Sequence, residues 1–246
     1  MGLRIFSQRA GKGNIQYRAP SKGKLAPTHY PAITDMKLQK GKVMRILHER
    51  GRGAPLAQIQ FEDGPLIYIP AVVGLTLGSM IEMGEEAELI PGNILPLKNI
   101  GEGNRICNIE MICGDGGKLV KSSGNSATLL GYSHNRTMVR LPSGKSSQFG
   151  TECRATIGEI AGGGKGERPF LKAGTKHHSM KAKGRPYPRV RGVAQSAARH
   201  PFGGGRHQHS FAESRTTSRN APPGRKVGSI AARQTGPRRQ RRNRGR

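Results

Sequence analysis

Ala57-Gln58-Ile59-Gln60-Phe61 alternates apolar and polar side chains with period two, which puts Ala57, Ile59 and Phe61 on one face of a half-buried strand. Short runs of the same kind follow at residues 66–69, 87–90, 106–111, 127–130, 138–141 and 155–160, each bounded by Gly, Pro, Asn or Asp. Recurrence every ~10–20 residues is the rhythm of an all-β sandwich or barrel. No segment keeps an amphipathic helical pattern for three turns. The strand-like region, from about residue 40 to 161, is long enough for two small barrels in tandem, with a natural break near residues 99–104. Outside it the periodicity stops. Residues 1–34 mix Gly, Lys and Arg, and residues 162–246 are rich in Gly, Pro, Arg and His, so both flanks are predicted to be extensions. The expected organisation is 1–34 basic extension, 35–99 first barrel, 100–161 second barrel and 162–246 basic extension.

Charge follows the same division. The 246 residues carry 42 Lys or Arg against 15 Asp or Glu, a net +27, which demands an anionic partner. Residues 1–48 hold ten cations and one acid, Asp35; residues 49–115 hold four cations and ten acids; residues 116–246 hold twenty-eight cations and four acids. Between Gly53 and Leu97 there is no Lys or Arg, while Glu62, Asp63, Glu82, Glu85, Glu86 and Glu88 fall there. That face is expected to meet water or a basic neighbour, not phosphate. From Arg168 onward the single acid is Glu213, and the chain closes on an arginine run at 238–246. Such a block repels itself until a polyanion neutralises it. With 34% hydrophobic residues, no Trp, 36 Gly and 16 Pro, one large core is excluded. No stretch reaches the ~18 apolar residues of a membrane span and residues 1–10 show no secretion signal, so a soluble, cytoplasmic protein is expected. Cys107, Cys113 and Cys153 fit reduced thiols there.

Three constellations suggest other chemistry and fail on spacing. Gly162-Gly163-Gly164-Lys165-Gly166 resembles a phosphate loop, but Glu159 stands where the first Gly belongs and Gly166 where Ser or Thr would hold magnesium. A basic connector is expected instead. Cys107 and Cys113 are too far apart for a zinc ligand pair, and His177, His178, His200, His207 and His209 lie far downstream, so no metal or other cofactor is expected. His200, next to Arg199 in a Gly-rich stretch, has the right pKa for general acid–base work but only Glu213 nearby, and phosphates around it would favour its charged form. It is read as an RNA contact, with no catalytic residue assigned. Aromatics are 4% of the chain, too few to stack successive bases on a sheet. Backbone recognition by Arg and Lys remains, with Gly203-Gly204-Gly205 letting the chain run close to packed RNA.

The residues that carry a resemblance are Gly51-Arg52-Gly53-Ala54-Pro55-Leu56-Ala57, Pro91-Gly92-Asn93-Ile94-Leu95-Pro96-Leu97, Val139-Arg140-Leu141-Pro142-Ser143-Gly144, Leu171-Lys172-Ala173-Gly174, Arg191-Gly192-Val193-Ala194 and His200-Pro201-Phe202-Gly203-Gly204-Gly205. Through them nearly the whole chain is similar to the universal L-two family of large-subunit ribosomal proteins. Phe202 and the ending Gly228-Ser229-Ile230-Ala231-Ala232-Arg233-Gln234-Thr235-Gly236 resemble its archaeal and eukaryotic branch. One departure is Gln195-Ser196-Ala197-Ala198-Arg199, where the family commonly has Met-Asn-x-x-Asp; without that acid, His200 has no partner to tune it as a base.

The resemblance implies an oligonucleotide-binding-type barrel, then a Src-homology-3-like barrel, with both ends threading into large-subunit rRNA. It implies a non-enzymatic protein of the ribosome that supports rRNA folding, subunit association and tRNA placement near the peptidyl transferase centre. Its expected partners are that rRNA, other large-subunit proteins and the small subunit, with no membrane and no homo-oligomer. Carried over residue by residue, the rRNA contacts are Arg52, Lys121, Arg140, Lys172, Arg189, Arg191, His200, Arg206, Arg219, Arg225 and Arg233. Two rivals stand beside this reading: an RNA-processing enzyme using His200, and a nonspecific DNA packer, which explains the charge but not the acidic first barrel.

Overall fold

The chain is seen in a computed structural model that describes residues 3–31, 38–62, 64–210 and 216–233. Asp35, Asp63, Glu213 and the arginine run 238–246 lie outside the described residues. The alternation at 57–61 belongs to a ten-stranded sheet formed by β1 (Gln39–Leu47), β2 (Leu56–Phe61), β3 (Leu66–Pro70), β4 (Met80–Met83), β5 (Ile94–Pro96), β6 (Arg105–Cys107), β7 (Ala127–Ser133), β8 (Arg136–Arg140), β9 (Ser146–Gly150) and β10 (Arg154–Ile157). The strand order is β3-β2-β1-β4-β5-β10-β6-β7-β8-β9. The class is all-β, with two modules in tandem.

Ala57, Ile59 and Phe61 are buried, as the alternation requires, and Val43 lies opposite Ile59. β1 carried no clear signal because Gly41 faces Phe61: a Cβ there would sit 2.9 Å from Ile59 Cγ2 and 3.0 Å from Phe61 Cδ1. The neighbours fill the space that an apolar side chain would otherwise mark. Residues 87–90 form a turn instead of the expected strand. Asn93, 4% exposed, satisfies that turn by donating from Nδ2 to Glu88 O while its Oδ1 accepts from Glu82 N–H, both at 3.0 Å. The strand falls just after it, on β5.

Two large cores and a smaller cluster of Ala54, Val72, Cys107 and Ile160 lie on the sheet. Val43, Ile59, Phe61, Ile67, Ile69, Ile81 and Ile94 make the first; Leu95, Leu97, Ile106, Leu129, Val139, Ala155 and Ile157 are among those that make the second. Ile94 and Leu95 are neighbours on one strand yet serve different cores, because successive side chains point to opposite faces. β10 pairs with β5 on one side and β6 on the other, so the sheet runs on unbroken while the cores change between Ile94 and Leu95.

Residues 20–31 lie with this body, which spans Pro20–Thr175. Tyr30, from the segment expected as an extension, is buried in the first core; its hydroxyl donates to Asn108 O and meets Thr156 Oγ1, both at 2.7 Å. Next to it runs a buried ion pair. Arg154 Nη2 lies 2.8 Å from Glu110 Oε1, with the side chains 8% and 0% exposed. Glu110 also accepts from the N–H groups of Gly114, Gly116 and Arg154, while Arg154 donates to Pro31 O and lies over the Tyr30 ring. Cys107 and Cys153 are buried and Cys113 is exposed.

The chain ends, Met1–Ala19 with Lys176–Arg246, group as a second unit. It contains α1 (Phe6–Gly11), most of α2 (Ala173–Ala182) and a two-residue parallel pair, β11 (Thr216–Thr217) with β12 (Ser229–Ile230). Leu3 N–H donates to Ala198 O at 2.7 Å, so the two flanks meet. Its buried apolar side chains among the described residues are Ile5, Ala182 and Val227. No helix among the described residues is long and apolar enough to cross a membrane.

Candidate nucleic-acid interface

Of the eleven residues singled out from the sequence, four stand on the body. Arg140 is exposed at the end of β8 and Lys172 is exposed beyond the sheet. Arg52 and Lys121 are half-buried and come together. Arg52 Nε holds Glu49 Oε2 at 2.9 Å, and Lys121 donates to Thr28 O and, at 2.8 Å, to Gly117 O. Burial, then the positive charge of Arg52, brings the Lys121 pKa down to about 8. The preceding residue, Val120, has a φ of 52°. A β-branched residue in the left-handed region costs about 1–3 kcal/mol and persists where its surroundings over-determine it; here the Val120 carbonyl accepts from Asn108 N–H at 2.9 Å. The glycines at 162 and 163 belong to the same neighbourhood. A Cβ on Gly124 would lie 2.6 Å from Gly163 Cα, and one on Gly162 would lie 3.2 Å from Gly53 O. The Gly-rich run therefore serves close packing, not phosphate cradling.

The other seven stand in the chain ends. Arg206, Arg219, Arg225 and Arg233 are each exposed. Arg189, Arg191 and His200 converge on a cavity of about 850 Å³ whose walls also include Arg9 and Arg199. Residues 5–9 supply one wall and 188–200 most of the rest. The Arg189 guanidinium lies 4.8 Å over the Phe6 ring, and Phe6 is itself held edge-on by Tyr17 at 5.6 Å. Gly192 presses against His200: a Cβ there would come within 2.5 Å of Nδ1. A Cβ on Gly203 would come within 2.5 Å of Ser196 O. Backbone approach requires glycine at 203, whereas a Cβ at 192 would displace the His200 ring.

His200 is oriented by its own chain: its Nδ1 accepts the Phe202 N–H at 3.1 Å, which leaves a proton on Nε2. Burial lowers its pKa below the ordinary 6.5, whereas phosphates around it would favour its charged form. Sequence reasoning missed Arg9 and Phe6, because nothing local relates residues 5–9 to 188–200. Arg199 was noticed only as a neighbour of His200. No group of three or more His, Cys, Asp or Glu fit to hold a metal occurs among the described residues.

Comparison with known proteins bears on this geometry. Residues 6–83 match the family model described as Ribosomal Proteins L2, RNA binding N-terminal domain, and residues 90–226 match Ribosomal Proteins L2, C-terminal domain. The chain is 50% identical to the large ribosomal subunit protein uL2 of Cenarchaeum symbiosum over 236 residues, covering 96% of this chain and 97% of that one. It is 48% identical to the protein of that name from Archaeoglobus fulgidus over 246 residues, 97% of this chain and all of the relative. The Methanothermobacter thermautotrophicus protein is 50% identical over 242 residues, with 97% and 100% covered.

Proposed function

The chain belongs to the L2 family of ribosomal proteins, and from that premise we propose that its ends hold large-subunit rRNA while its β body anchors them. It is a structural, RNA-binding protein of the large ribosomal subunit, working in translation in the cytoplasm among rRNA and other ribosomal proteins. One observation supports the division of labour. The described residues of the ends carry sixteen Lys or Arg and no Asp or Glu. Such a surface releases counterions when it neutralises phosphates, and that release supplies most of the affinity. The contacts assigned to rRNA are the seven residues of the ends, with Arg52, Lys121, Arg140 and Lys172 on the body. Residues 35–99 and 100–161 are assigned as the two barrels. Support for subunit association, tRNA placement and the peptidyl transferase centre is assigned to the same contacts.

The protein is read as non-catalytic. His200 uses Nδ1 on Phe202 and has no carboxylate in the described part of its unit, so a second group for proton transfer is missing. The test is a salt titration of binding to an rRNA fragment and to duplex DNA of equal length, with the full chain and with a chain ending at Thr175. Tighter binding to the rRNA is expected, with a log K against log salt slope that flattens by about 0.7–0.9 for each phosphate contact the truncation removes. Equal affinity for the duplex DNA, or an unchanged slope after truncation, would end this reading.

A further inference from the structure

Backbone tracking alone needs exposed cations along a surface or groove and no apolar wall. The ends instead enclose a recess of about 850 Å³, inside the ~300–1,000 Å³ range of small-molecule sites. Its walls are of two kinds. Arg9, Arg189, Arg191 and Arg199 supply positive charge, and no Asp or Glu lines it. Phe6 and Val190 supply apolar surface; Val190 is 56% exposed, an unusual state for that side chain in a wall that nothing else covers. The Arg189 guanidinium lies 4.8 Å from the centre of the Phe6 ring and is exposed, which keeps it within reach of a base. His200 adds one N–H, at Nε2, that its own chain does not orient away. Contacts at Gly192 and Gly203 too close for any Cβ give the loop a fixed form before a ligand arrives.

We propose that this cavity receives one unpaired nucleotide of the rRNA, its base against Arg189, Val190 and the His200 N–H and its phosphates on Arg9, Arg191 and Arg199. Unpaired bases splayed from loops and bulges are what proteins can reach in RNA, whereas the groove of an A-form duplex closes its bases off. Guanidinium planes stack on bases without demanding a particular one. The proposal rests on the rRNA-binding reading and adds to it a site sized for a single residue of the nucleic acid.

The test fills the recess without touching its charge. Ser7→Trp and Ala194→Trp, made separately in the full chain, are each expected to weaken rRNA binding at least about tenfold, the order of one lost stacked base, with the salt slope flattened by about 0.7–0.9 for each phosphate contact that leaves with the nucleotide. Arg199→Ala is expected to flatten that slope by about 0.7–0.9. Unaltered affinity in both Trp variants would overturn the proposal while leaving the rRNA reading intact; a wild-type chain that fails to bind rRNA would instead sink that reading. A second measurement does not depend on the variants: NMR of the His200 imidazole during titration with adenosine monophosphate and, separately, inorganic phosphate. Saturable shifts with the nucleotide that phosphate does not reproduce support the inward base. Identical shifts with phosphate, or none with the nucleotide, overturn it.

Discussion

The body and the chain ends solve the problem of charge in opposite ways. On the body, Glu49, Glu82, Glu85, Glu110, Asp115, Glu152 and Glu159 each have a Lys or Arg nitrogen within 3.5 Å. The ends have cations with no acid to meet them among the described residues, and bury little apolar surface. Exposed ion pairs are worth little in stability, so the body stands on its apolar cores, and its acids answer part of its own positive charge. The ends lack a core and keep their field. A polyanion is therefore to the ends what the hydrophobic cores are to the body: the component that makes a compact arrangement favourable.

Three experiments test whether the two regions are separate in this sense. The largest effect is expected from Glu110→Ala. It strands Arg154 in the interior and should cost about 3–5 kcal/mol, read as a lower denaturation midpoint. The salt slope of rRNA binding, measured where the variant is still folded, should not change. A changed slope would mean that the ends depend on the body's geometry contact by contact. Gly192→Ala is the reciprocal case. The added Cβ must push the His200 ring aside, and a loss of about tenfold in rRNA affinity, equivalent to about 1.4 kcal/mol, should appear with no shift in the body's unfolding transition. An unfolding midpoint lowered as far as that of the Glu110 variant would break the comparison from the other side.

The smallest effect concerns Lys121, where the body itself offers a cation. Burial and then Arg52 depress its pKa from 10.5 to about 8. Between those two values the unfolded chain binds the proton and the folded chain does not, so stability rises with pH through that window; well below pH 8 the cost of burying the charged amine is fully present and no longer changes with pH. Its positive charge fades over the same pH interval. The wild-type salt slope should therefore shrink by at most about 0.7–0.9 between pH 7 and pH 9, and a Lys121→Met chain should show the smaller slope at both. Identical slopes for wild type and variant at pH 7 would remove Lys121 from the interface.

Strands whose side chains alternate were readable: β2, β3, β7 and β8 all coincide with runs recognised from period two. β1 was not, because Gly41 gives its place to Ile59 and Phe61. The turn at 87–90 was misread as a strand because its apolar residues mimic alternation, and the side chain that shapes it, Asn93, lies outside the run. The Glu110–Arg154 pair could not be read at all, since 44 residues separate its members and each looks like an ordinary surface charge. In the candidate site, charge segregation pointed to the chain ends and the resemblance to Arg189, Arg191 and His200, which the structure brings to one cavity. The cavity remained hidden because one of its walls comes from the opposite end of the chain. Composition reports that cations are present; only the fold reports that they surround a hollow.

The position of β10 has a consequence for synthesis on the ribosome. β5 finds its second neighbour only when β10 emerges, about sixty residues and several seconds later at ordinary elongation rates of about 5–20 residues per second. During that interval the first module has a second open strand border, at β5 as well as at β3, the kind of border that recruits stray chains. A nascent copy is thus most vulnerable to mispairing midway through its own translation, before the tail that will carry it into rRNA has been made.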